Sequence, residues 1–199
     1  MIPRRTHRAG WALFEAVRHE DERGWLAETF LAHVLREQAG DGASIVQQNL
    51  TSSRPGVLRG LHYQITRPQG KLVLVVQGRI FDAIVDLRRD SADFGCSFGF
   101  DLDASTLPLL WVPPGFAHGF LARTESLVSY SLTAPRLPAA ERALRWDCPA
   151  IGIHWPLEGR TPILSRRDRE APGLDRAETF AAGTTPSTPS MLPGRPDGP

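Results

Sequence analysis

The sequence predicts an all-β jelly roll, a sandwich or barrel of short antiparallel strands with a few short helices. Two observations carry this expectation. From about Ser44 to Ala134, short runs rich in Val, Ile, Leu and Phe are broken by Gly, Pro, Asp or Ser. These runs also follow one another without the long helical stretches that a βαβ alternation requires.

Taken in order, the expected strands run over 44–49, 56–62, 71–77, 79–87, 96–102, 109–112, 118–123 and 127–133. Before them, Phe30, Leu31, Val34 and Leu35 recur at helical spacing, predicting a helix over 28–38 that Gly40 ends and that covers an edge or open end of the sheet. Residues 1–181 read as one domain, with an N-terminal arm and helix over 1–43, the barrel core over 44–134 and a C-terminal segment over 135–181. From Ala182 to Pro199 the chain is dominated by Gly, Pro, Ser and Thr, with almost nothing to bury, and a disordered tail is expected.

Charge narrows the function. The 23 Lys and Arg against 22 Asp and Glu leave a formal +1, so no basic surplus serves nucleic acid and any anionic ligand must be met by locally placed cations. No signal peptide and no membrane-spanning stretch is visible, which makes the cytoplasm the expected location. Cys96 and Cys148 form neither a CxxC pair nor a framework and read as reduced thiols.

Several residues could carry chemistry. In Val57-Leu58-Arg59-Gly60-Leu61-His62, strand alternation puts Leu58, Gly60 and His62 on one face and Arg59 on the other. His62 is then either a core histidine held by one backbone bond or a functional group. Lys71 shares a face with Val73 and Val75, where an unpaired ammonium is costly to bury; it either reaches water at the strand end or meets a ligand oxygen. Tyr130 shares a face with Val128 and Leu132 and so points inward, as an ordinary core tyrosine also does. Asp168, beside Arg166, Arg167 and Arg169, reads by itself as a surface salt-bridge partner.

His118 follows the rigid Pro113-Pro114-Gly115 turn, and with His62 it suggests half of a metal site. Metal-binding cupin-type jelly rolls typically use an HxH pair followed by a Glu. Here Gln64 stands two residues after His62 and no Glu follows within the next several residues, so no metal is expected. A GxGxxG fingerprint is also missing, and no nicotinamide or other cofactor is expected.

In this order, the segments resemble the dTDP-4-dehydrorhamnose 3,5-epimerase family. The landmarks are Asp21-Glu22-Arg23-Gly24 with Glu28, Gln47-Gln48-Asn49, Gly56 to His62, Gln69-Gly70-Lys71, Asp86-Leu87-Arg88 with Phe94-Gly95, Pro114 to Phe120, Tyr130, the Trp146 to Trp155 region and Leu164 to Asp168. The resemblance implies a cupin-like jelly roll that epimerises a dTDP-4-keto-6-deoxyhexose at C3 and C5. It makes His62 the base, oriented by Asp168, Tyr130 the acid on the opposite face of the sugar, and Lys71 the partner of the C4 oxygen. Arg23, Glu28, Gln47, Asn49, Arg59, His118, Glu141 and Arg167 match substrate-contacting positions. The resemblance also implies a homodimer that exchanges N-terminal strands, so that Arg23 and Glu28 serve the neighbouring subunit.

The chemistry suits these residue types. Hydrogens on either side of a C4 ketone are acidic, and an imidazole's ordinary pKa of about 6.5 lets it accept one at physiological pH. An ammonium stabilises the enolate oxygen, and a phenol can return a proton to the other face. For Arg59 and His62 to share this site, Gly60 must mark a bulge that turns Arg59 inward. Two positions depart from the family. Arg136 stands where a tyrosine usually stacks on thymine, and Leu26 stands where an aromatic is common. The other readings are a 3-only or 5-only epimerase for an antibiotic or glycan sugar, a metal-dependent cupin and a non-catalytic sugar-nucleotide binder.

Overall fold

Two antiparallel sheets face each other in the computed structural model, which describes residues 1–40 and 43–183. The first has six strands in the spatial order Ile2–Thr6 (β1), Ala12–Glu15 (β2), Pro108–Val112 (β10), Lys71–Gln77 (β7), Ser126–Leu132 (β12) and Gln47–Ser53 (β5). The second has five, ordered Glu141–Ala143 (β13), Leu58–Gln64 (β6), Phe116–Ala122 (β11), Arg79–Asp86 (β8) and Ser97–Asp103 (β9). A separate hairpin joins Arg18–Asp21 (β3) to Gly24–Ala27 (β4). This is the expected cupin-like jelly roll.

Side-chain alternation explains why the strands stack in layers. Val73, Val75 and Val128 of the first sheet meet Ile80, Ile84, Phe116 and Phe120 of the second in a central core. Leu72, Leu109 and Trp111 face outward from the first sheet and are covered by Leu35 of the helix Ala32–Ala39 (α1). On the second sheet's outer face, Leu61, Tyr63, Val85 and Leu87 pack against Leu144, Ala177 and Phe180 of the C-terminal segment. Strands covered on both faces read as unbroken apolar runs, as Lys71-Leu72-Val73-Leu74-Val75-Val76 does. Each such buried side chain stabilises the fold by roughly 1.5–3 kcal/mol.

The expected elements need four corrections. The helix begins at Ala32, not at residue 28: Leu31 is extended and no side chain caps the start, so helix forms only where Leu35 reaches the sheet. Gly40 ends it as expected, with its amide donating to the Arg36 carbonyl. The N-terminal arm is largely β-structure. Its first strand, Ile-Pro-Arg-Arg-Thr, is exposed throughout and carries no alternating pattern to read. Several strand ends differ by two to four residues, most clearly β5, which runs over Gln47–Ser53 where 44–49 was expected. The short strand β13 and the helical turn Arg166–Arg169 (α2) are too brief to carry a periodic signal. The tail expected from Ala182 lies, from residue 184 onward, outside the described residues.

The strict alternation expected of β6 is broken. Against β11, His62 pairs with His118 but Arg59 pairs with Phe120, so three steps on β6 match two on β11. The extra residue is a bulge, and it places Arg59 and His62 on the same side. Glycine is required on both strands. A Cβ on Gly60, whose φ is +117°, would lie 2.7 Å from the Gly119 Cα, and one on Gly119 would lie 2.6 Å from the Arg59 carbonyl oxygen. Both obstacles are backbone and cannot step aside. Gly119→Ala is therefore expected to cost about 2–4 kcal/mol in urea unfolding. An unchanged midpoint would show that the two strands are not pressed together.

Candidate active site

Between the sheets lies a cavity of about 260 Å³ lined by Asn49, Arg59, His62, Lys71, His118, Tyr130, Arg136, Glu141, Arg167 and Asp168. Ten of the thirteen residues singled out from sequence therefore converge on it. An eleventh, Gln47, stands beside it, accepting from the Arg136 backbone amide at 2.9 Å and donating to Asn49 at 2.9 Å. The remaining two do not reach it. Arg23 is exposed and paired with Asp21, and Glu28 is exposed just beyond the hairpin.

His62 and Tyr130 enter the cavity from different sheets, one on β6 and one on β12. The His62 Nε2 lies 2.5 Å from the Asp168 Oδ1. Asp168 is buried, which corrects the reading of a surface salt bridge. Its other oxygen accepts from the Ser165 hydroxyl at 2.8 Å, and the Asp168 amide donates back to that hydroxyl at 3.1 Å. Ser165 thus caps α2 and orients the carboxylate together. Burial pushes the Asp168 carboxyl upward, yet hydrogen bonds from His62, Ser165 and the Gly60 amide hold it below its ordinary value. An ionised Asp168 accepts the Nε2 proton of His62 and leaves Nδ1 as the free lone pair.

Lys71 is 7 % exposed and cannot be the solvated strand-end lysine. Its Nζ donates to the His62 carbonyl at 3.0 Å, tying the ammonium to the strand that carries the imidazole. Burial brings its pKa down to about 8, against the opposing pull of Asp82 and Glu141. His118 does not stand free beside His62 as a metal ligand: its Nε2 lies 2.8 Å from the buried Asp82 Oδ2. Each histidine thus has its own carboxylate partner, and among the described residues no group of three or more His, Cys, Asp or Glu side chains is placed to hold a metal ion.

The mouth of the cavity is ionic. Glu141 binds Arg136 through both oxygens, at 2.5 and 3.1 Å, and also accepts from Arg167 at 2.7 Å. Burial raises the Glu141 carboxyl, but the two guanidinium groups more than offset it and hold it low. Arg59 donates to the Ser53 hydroxyl at 2.9 Å and the Ser52 carbonyl at 3.0 Å, so a fork suited to anionic oxygens is pre-positioned. Sequence reasoning missed Asp82 and Ser165. Asp82 had a readable signal, a carboxylate between Ile80 and Ile84 on an inward face; Ser165 had the capping spacing to Asp168.

A family model described as dTDP-4-dehydrorhamnose 3,5-epimerase matches residues 5–176. An enzyme of that name from Pseudomonas aeruginosa is 41% identical over 169 residues, covering 84% of this chain and 93% of its own. Among solved structures, the 3,5-epimerase of Legionella pneumophila in complex with dTDP-4-keto-L-rhamnose superposes with TM-score 0.84 at 36% identity, over 88% of this chain and 94% of that one. A 3′-monoepimerase of Streptomyces bikiniensis in complex with dTDP-quinovose gives TM-score 0.79 at 32% identity, over 88% of each chain.

If Lys71 must be charged to act, kcat/KM is expected to fall as pH rises through about 8, because deprotonation removes the cation from the cavity. A profile flat to pH 10 would exclude a charged Lys71 from the rate.

Proposed function

The chain belongs to the dTDP-4-dehydrorhamnose 3,5-epimerase family, and on that premise we propose that it inverts C3 and C5 of a dTDP-4-keto-6-deoxyhexose in deoxysugar biosynthesis. The observation that carries this reading is the placement of His62 and Tyr130 on facing sheets across one cavity, with the buried Lys71 in its lining. The His62 Nδ1 takes the proton from a carbon next to the ketone while Asp168 stabilises the imidazolium that forms. The electron pair moves into the enolate, and its negative charge comes to rest on the C4 oxygen near Lys71. The Tyr130 hydroxyl then donates a proton to the opposite face, which inverts the centre. Once His62 has released its proton to solvent and Tyr130 has regained one from it, repetition at the second carbon gives the doubly inverted sugar. No electron leaves the substrate, so the proposal needs no redox cofactor.

Arg59 and Arg167 are suited to the diphosphate, and Gln47, Asn49, His118, Arg136 and Glu141 to the rest of the nucleotide sugar. Incubation with dTDP-4-keto-6-deoxyglucose in heavy water is expected to place deuterium at both C3 and C5. His62→Asn is expected to slow that exchange by about a hundredfold or more. Label at only one carbon would favour a mono-epimerase of the kind solved from Streptomyces bikiniensis, and no label at either would overturn the reading.

We further propose a homodimer in which the β3–β4 hairpin serves the partner's cavity. Three features support it. Among the described residues the hairpin's strands pair only with each other, Arg23 and Glu28 stand outside their own chain's cavity, and Trp25 and Leu26 are 54 % and 64 % exposed. Mixing Arg23→Ala chains with His62→Asn chains tests this. Exchange of hairpins creates one native site in each mixed dimer, so activity should recover to about a quarter of wild type. No recovery from a mixture shown to contain mixed dimers would place Arg23 in its own subunit's site.

A further inference from the structure

A carboxylate buried between two apolar sheets is costly unless both of its oxygens are satisfied. Asp82 is fully buried on β8, between Ile80 and Ile84 of the central core. One oxygen meets the His118 Nε2 at 2.8 Å; the other, Oδ1, is buried with no hydrogen-bond partner among the described residues. A buried carboxylate oxygen without a protein partner calls for a reason beyond packing. This carboxylate is half-paired and lies beside the cavity floor, where His118 and Lys71 are also buried.

We propose that Asp82 is a positioning residue for the epimerisation: it holds His118 through Nε2 and keeps Lys71 positively charged where the enolate oxygen forms. This rests on the function proposed above.

The titratable and charged groups that line the cavity with Lys71 are Arg59, His62 and Tyr63 on β6, His118 on β11, Tyr130 on β12, Arg136, Glu141 on β13, and Arg167 and Asp168 on α2, with Asp82 on β8 paired to His118. Three of these are carboxylates. Asp168 is engaged by His62 and Ser165, and Glu141 by Arg136 and Arg167. Of the two carboxylates whose charges act on the ammonium, Asp82 and Glu141, the second is already shared by two guanidinium groups, whereas among the described residues no Lys or Arg side chain is bound to Asp82. Its field opposes the burial that drives Lys71 toward the neutral amine. Neutral Lys71 would leave the C4 oxygen without a cation just as negative charge arrives there.

Asp82→Asn tests the proposal in the full chain, because it keeps the shape and removes the charge. We expect kcat to fall roughly tenfold or more with a smaller change in KM, and the alkaline limb of the pH–rate profile to move to lower pH. A purely structural role would lower stability without moving that limb. If the Asn variant does not fold, Asp82→Glu and Asp82→Gln provide a pair matched in size and different in charge; a lower limb for Gln supports the proposal and coincident limbs overturn it. Wild type that exchanges no deuterium from the 4-keto sugar nucleotide would sink the proposed function itself. Wild type that exchanges, alongside an Asp82→Asn variant with the same kcat and the same limb, would sink the Asp82 role alone.

Discussion

Strands β6 and β11 approach so closely at Gly60 and Gly119 that neither position has room for a side chain. That contact produces the bulge on β6, and the cavity's chemistry follows from the bulge. It turns Arg59 to the same side as His62, aligns His62 opposite His118, and leaves the Gly60 amide free to bond Asp168. A regular strand would have sent Arg59 to the far face, behind the sheet and away from any anion bound in the cavity.

From that arrangement, charge is distributed in two zones of different wetness. At the mouth, Glu141, Arg136 and Arg167 form an exposed network whose long guanidinium groups stay in water. Deeper in, Lys71, His118 and Asp82 are all buried, and the same unit charges interact far more strongly there. Under the proposed function, the mouth suits a mobile diphosphate that must enter and leave. The interior suits a single developing charge that appears and disappears within one catalytic cycle, because the surrounding dipoles are already oriented before it forms. Arg136, placed where the family commonly has tyrosine, belongs to the wet zone. Its plane is fixed by both oxygens of Glu141, so a flat face is retained there although the aromatic ring is lost.

The C-terminal segment joins these zones to the fold. Its apolar side chains seal the outer face of the five-stranded sheet, and its single turn of helix brings Asp168 to His62. Packing and the proposed chemistry are therefore linked through one segment: loosening Phe180 or Leu144 from the sheet would also shift the carboxylate held against His62.

Much of this was legible in the chain itself. The apolar runs and their glycine and proline punctuation indicate a jelly roll, since strands covered on both faces leave a continuous hydrophobic signature. The types of His62, Lys71, Tyr130 and Asp168, kept in order with their flanking residues, identify the family and the class of chemistry. The short or polar elements were not legible: β1 and β13 bury too little to leave a pattern, and α1 starts late because helix formation waits on the sheet that Leu35 packs against. Nor could the sequence decide between a buried and a solvated Lys71, or between a surface and a buried Asp168. Residue identity and local periodicity determine which groups are present and which strands form, because those depend on near neighbours in the chain. Which groups meet, and how dry their surroundings are, depends on contacts between residues as distant as His62 and Asp168, and only the tertiary structure decides those.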